Sequence, residues 1–164
     1  MNNVNLCSTL SVVKDDTPWL DEQENLIWRS FLHASGLISR QLSDSLKVQT
    51  GLTMDDYEVL VHLSEADPHR VRMTELSHQL LHSQSRLTQR IDRLAKRGLV
   101  CREKCPEDGR GTFAVLTDEG MKCIVEAAPQ HVRDVRAALI DLIEPSERAI
   151  FADILERLAK AARG

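Results

Sequence analysis

Aromatic residues are scarce, at 4% of 164 positions. A core with so few large rings must be filled mainly by Leu, Ile, Val and Ala, as in many helical proteins. Long apolar runs are missing too. None approaches the roughly 20 residues of a membrane-spanning helix, and residues 1–18 lack the basic start and apolar stretch of a secretion signal. A cytoplasmic protein with no membrane partner is expected. The cysteines are Cys7, Cys101, Cys105 and Cys123, with no CxxC pair. That rules out a disulfide framework, and the single close pair, Cys101 and Cys105, cannot complete a zinc site by itself. Ordinary reduced thiols are expected.

Catalytic signatures are also missing. No phosphate loop, nucleophile elbow or HExxH spacing occurs, so no catalytic residue, metal or cofactor is assigned. His78 and His82 stand four apart, but where a helix should end.

What is present is a segregated charge. The chain carries −4 overall, an unpromising sign for a polyanion binder. Residues 69–112, however, hold ten Lys/Arg against five Asp/Glu, a local +5, which leaves −9 for the remainder. A basic middle in an acidic frame marks a localised polyanion-binding face.

Apolar spacing supplies the elements. Residues 1–18 show no periodic pattern and read as a disordered tail. From Trp19 to Lys47, Ile27, Phe31, Ala34, Ile38 and Leu42 form one helical stripe. Thr53 and Asp56 form a capping-box variant at the start of a second helix, whose face is Met54, Tyr57, Leu60, Val61 and Ser64. Val71-Arg72-Met73 is a short extended piece, after which Thr74 caps a helix to about Leu81. Ser83 caps the next, with Leu87, Ile91 and Leu94 inward and Lys96-Arg97-Gly98 as its stop. Residues 99–104 and 112–116 read as two strands of a hairpin. Thr117 caps a long helix that contains Pro129, expected as a kink, and Glu144-Pro145 opens the last helix.

Helix, short strand, helix, turn, helix, hairpin is the order of a winged helix-turn-helix, whose second turn helix enters the DNA major groove. The expected fold is mainly α with a small β-hairpin. A DNA-binding domain spans 53–116, and helical segments 19–50 and 117–164 form a dimerisation region. On the 83–97 helix the outward face carries Ser85, Arg86, Gln89, Asp92, Arg93 and Lys96, with Arg90 and Arg97 flanking it. Amide, hydroxyl and guanidinium groups of this kind read base edges. At the hairpin tip Arg110 sits between two glycines and suits the electronegative minor groove; Asp108 is placed to hold Arg110 or Arg93 in position.

The run from residue 52 to 120 resembles the MarR family of bacterial transcriptional regulators. The resemblance is carried by Met73-Thr74-Glu75-Leu76, by Ile91-Asp92-Arg93-Leu94 with Gly98-Leu99-Val100, and by Asp108-Gly109-Arg110 followed by Leu116-Thr117-Asp118-Glu119-Gly120. It implies a homodimer with interleaved terminal helices on a roughly palindromic operator. It also implies operator reading by Thr74, Ser83, Gln84, Ser85, Arg86, Gln89, Arg90 and Arg110, with Asp108 and Arg93 as wing support. It implies one of two triggers: a small aromatic or phenolic ligand, for which Trp28, His33 and Tyr57 are the candidates, or cysteine oxidation. Two departures stand out. Leu81-His82 replaces a glycine-containing turn, and Glu144 replaces a Thr or Ser cap.

Overall fold

A computed structural model describes residues 17–105 and 111–163. The expectations for the tail, Cys7, Asp108 and Arg110 therefore lie outside the described residues. The element order is α1 (Glu22–Thr50), α2 (Met54–Glu65), β1 (Arg70–Arg72), α3 (Met73–Gln79), α4 (Gln84–Lys96), β2 (Val100–Lys104), β3 (Thr112–Leu116), α5 (Asp118–Ala138), a 3-10 turn (Ile140–Leu142) and α6 (Arg148–Arg163). The protein is mainly helical with one small sheet, as expected.

The chain divides into two compact units, residues 1–35 and 36–164. In the first, Asp21 and Glu24 exchange side-chain-to-amide hydrogen bonds at 2.8 Å. This reciprocal cap sets the start of α1 at Glu22, three residues after the Trp19 expected from spacing alone. Leu26, Ile27, Trp28, Phe31 and Leu32 are all exposed.

In the second unit the core gathers Leu46, Leu52, Tyr57, Val59, Leu60, Leu63, Leu76, Leu87, Ile91, Leu94 and Leu99 with Ala114, Leu116, Ile124 and Ala127. Helix α2 buries more of itself than one stripe would, because Val59 and Leu63 go in beside Tyr57 and Leu60. Its N-terminus is the expected capping box of Thr53 and Asp56. Thr74, by contrast, caps nothing. Arg72 is the N-cap of α3 and makes no side-chain cap bond, because pairing of β1 carries extended backbone up to Arg72 and burial of Met73 begins the helix there.

The sheet has three antiparallel strands in the order β1-β3-β2, so the short extended piece read from the sequence pairs with the hairpin. Val71 lies opposite Ala114 and Arg72 opposite Phe113, while Arg102 lies opposite Ala114 on the other side. Thr117 caps α5 by accepting from the Gly120 amide. A β-carbon at position 120 would meet the Leu99 carbonyl oxygen at 2.1 Å, so only glycine lets this turn of α5 close on the strand. Helix α5 continues through Pro129 to Ala138. The last helix begins at Arg148, three residues beyond Pro145; Glu147 bonds back to the Glu144 amide at 3.2 Å, replacing the missing Thr or Ser cap.

Candidate nucleic-acid interface

Helix α4 is placed by its apolar stripe, with Leu87, Ile91 and Leu94 buried. Ser83 accepts from the Arg86 amide at 3.4 Å and starts the helix. The turn leading into it passes through Leu81, a left-handed residue at φ +53° whose side chain is 77% exposed. The turn forms without glycine, at the cost of a strained leucine.

The outward face of α4 sorts into free and committed side chains. Ser85, Arg86, Gln89 and Lys96 are exposed, and Arg86, Gln89 and Lys96 bond to no other side chain among the described residues. Gln84 donates to Ser77 Oγ at 2.6 Å, tying the start of α4 to α3. Thr74 is exposed on α3. Its backbone carbonyl accepts from the Ser77 hydroxyl.

Arg90 requires a correction. It was expected to reach a phosphate or base, yet its side chain is only 12% exposed. It donates to Asp56 Oδ1 at 3.1 Å, to Asp55 and to the Thr53 hydroxyl. A guanidinium with three partners on the N-terminus of α2 ties α4 to that helix and is engaged within the fold. Arg93 donates to the same Asp56 oxygen at 3.1 Å but stays 60% exposed. Arg97 donates to the carbonyls of Thr50 and Gly51, filling acceptors left open at the end of α1. Arg102 on β2 pairs with Asp92 at 2.9 Å and bonds the Thr88 carbonyl, fastening the wing to α4.

Asp56 is the hub. Burial works to raise its pKa, but the bonds from Thr53 and the charges of Arg93 and Arg90 outweigh it and hold the carboxyl below its ordinary value. The capping box with Thr53 was legible in the sequence, but the two arginine partners stand more than thirty positions away. Asp55 and Asp56 together at a helix start were the only hint.

The wing root is described up to Cys105, whose amide donates to the Gly111 carbonyl at 2.8 Å and closes the hairpin. Cys105 is buried, and its sulfur accepts from Arg72 at 3.0 Å. The Arg70 and Arg72 guanidiniums lie 4.9 and 5.5 Å from the Phe113 ring. Cys101 is exposed. Burial pushes the Cys123 thiol up, so it stays protonated at neutral pH.

Of the expected ligand residues, Trp28 and His33 are exposed in the first unit and Tyr57 is buried in the second. Tyr57 packs on His131 with ring centroids 4.7 Å apart. His131 was missed in the sequence. Its Nδ1 is buried without a hydrogen-bond partner, and burial depresses its pKa despite nearby Asp134.

A capped recognition helix behind a three-stranded wing, with exposed amide and guanidinium groups outward, defines a winged helix-turn-helix DNA-binding module. The family model of the MarR family matches residues 50–111. AbsC, a MarR family transcriptional regulator from Streptomyces coelicolor, is 41% identical with a TM-score of 0.86, over 90% of this chain and 99% of that one. Sco3205, a MarR family regulator from the same organism solved in complex with DNA, is 39% identical with a TM-score of 0.86, over 90% and 92%. The regulator PecS of Dickeya dadantii is 28% identical over 148 residues, 90% of this chain and 88% of its own. The chain belongs to the MarR family of DNA-binding transcriptional regulators.

Proposed function

We propose that the protein is a homodimeric, sequence-specific repressor that reads an operator through α4 and releases it on binding a small aromatic or phenolic acid. The observation that carries the reading is the division of labour on α4. Arg90, Arg93 and Arg97 hold the helix, while Arg86, Gln89 and Lys96 stay exposed and bond to no other side chain among the described residues. Positioned groups next to unengaged ones are what base readout requires.

Dimerisation is supported by unpartnered apolar surface. Ile150, Phe151, Ile154, Leu155 and Leu158 on α6 are exposed, as are Leu26, Ile27, Trp28, Phe31 and Leu32 on α1. A contiguous apolar helix face of this kind marks an interaction surface. The effector reading is supported within the second unit, where Tyr57 packs on His131 and the orphaned His131 Nδ1 offers a polar group suited to an acidic or phenolic ligand.

Selection of bound sequences from a random DNA pool, for the wild type and Gln89→Ala, tests the operator reading. The variant should lose preference at one position per half-site, at about 1–3 kcal/mol for the cognate base. An unchanged selected sequence sinks the assignment of α4. Cysteine oxidation is the second trigger, favoured by the Arg72 contact to Cys105. Release by peroxide that disappears in a cysteine-free variant selects it over the ligand.

A further inference from the structure

Asp55, Glu58 and His82 converge at the foot of the recognition helix. One carboxylate oxygen from each acid and one ring nitrogen of His82 all lie within 4.8 Å of one another. The two acids are three apart on the first turns of α2 and so share a face. His82 arrives from the turn before α4, which is held in place by the bond from its own amide to the Ser77 carbonyl at 3.0 Å.

A second observation is independent of the acids. The Nδ1 of His82 is buried and has no hydrogen-bond partner. An imidazole with a buried nitrogen left unsatisfied carries the desolvation cost of that group. Charge points the same way. Asp55, Asp56 and Glu58 bring three negative charges, while Arg90 and Arg93, whose carboxylate partners among the described residues are the two aspartates alone, bring two positive ones. Glu58 has no cation partner among the described residues, so a net negative charge stays beside the imidazole.

We infer that Asp55, Glu58 and His82 form a binding site for a divalent transition-metal cation that fastens the turn before the recognition helix to α2. One imidazole and two carboxylates suit Zn2+ or a neighbouring first-row ion. Ligand atoms about 3.4 Å apart are needed for tetrahedral bonds of about 2.1 Å. Both acids are exposed and can swing inward by the difference, with water completing the shell. The cation would bridge two segments that already meet through Asp55 and Arg90, so its occupancy would bear on how α4 is held. His82 immediately precedes Ser83, the cap of that helix.

The test uses the full-length protein, stripped with a chelator and titrated calorimetrically with ZnCl2. One Zn2+ per chain is expected, with affinity reduced at least tenfold in Glu58→Gln and in His82→Gln and unchanged in a variant lacking all four cysteines. Glu58 is exposed, so its variant should melt like the wild type without metal, and the rise in melting temperature caused by zinc should be lost only in the site variants. Co2+ supplies a spectroscopic check, giving ligand-field bands without a thiolate charge-transfer band. Absence of saturable binding, binding indifferent to Glu58→Gln and His82→Gln, or binding abolished by removing the cysteines would each overturn the site. None of these outcomes depends on operator recognition or on the aromatic effector.

Discussion

Replacing Asp56 with asparagine probes the device that holds the recognition helix. Asparagine keeps the shape and an oxygen that can accept the Thr53 amide, so the cap survives in outline. What disappears is the charge that Arg90 and Arg93 share at 3.1 Å each. The two contacts are unequal. Arg93 is 60% exposed, and water replaces its partner at about 0–1 kcal/mol. Arg90 is only 12% exposed, and a hydrogen bond to a charged group is worth about 1.5–3 kcal/mol. Arg90 retains Asp55 and Thr53, so the loss should fall short of the roughly 3–5 kcal/mol seen when a buried cation is orphaned outright.

The expected cost of Asp56→Asn is therefore about 2–3 kcal/mol. Urea unfolding at fixed protein concentration reads it as a fall in midpoint without a change in slope. A cycle with Arg90→Met should give a coupling of at least about 1 kcal/mol. The acid limb supplies a sign test. The folded pKa of Asp56 is lowered from 3.8, so its stabilisation is fully present above that value and is lost as pH falls through the folded value. Asp56→Asn should flatten that limb. A variant within about 0.5 kcal/mol of wild type, or one with an unaltered acid limb, would refute the hub.

Two further outcomes follow from single positions. Leu81→Gly should stabilise by about 0.5–1 kcal/mol by urea unfolding, because a left-handed leucine costs about 1–2 kcal/mol and glycine returns about 0.5–1 in unfolded-state entropy; a loss of stability means the exposed side chain packs. The folded pKa of His131 is depressed below 6.5, so stability should decline as pH falls below that value, since the unfolded chain binds the proton first. His131→Asn should remove that decline, and a decline of equal depth in the variant rules His131 out.

What the sequence revealed and what it hid divide along contact distance. Caps at Thr53, Ser83 and Thr117 depend on atoms within three residues, and all three form as expected. The stripe of Leu87, Ile91 and Leu94 follows from helical period alone. The pairing of β1 with β3 joins segments more than forty positions apart, and three residues are too few to show a strand period. The same blindness hid the partners of Arg90. Helical geometry gives the direction in which it leaves α4 but not the acids waiting 34 and 35 positions upstream. Leu81 shows the reverse case: the sequence lacked the glycine, yet the turn closes through the bond from the His82 amide to the Ser77 carbonyl with Leu81 left-handed.

The commitment of these arginines sets how the protein should respond to salt. Helix α4 and its C-cap carry Arg86, Arg90, Arg93, Lys96 and Arg97, which a sequence count would treat as five phosphate contacts. Three of them already hold carboxylates or carbonyls. Each phosphate contact releases counterions and steepens the dependence of log K on log salt by about 0.9. In a dimer, Arg86→Ala or Lys96→Ala should each reduce the slope by up to about 1.8, one contact from each copy. Arg90→Met removes the same formal charge but no counterion-releasing contact. It should leave the slope within about 0.3 of wild type while lowering thermal stability. The measurement is operator affinity by fluorescence anisotropy across a salt series, made well below each variant's melting point. A slope for Arg90→Met that falls as far as that for Arg86→Ala would mean that Arg90 leaves Asp55 and Asp56 to meet DNA, and that the division of labour on α4 does not hold in the complex.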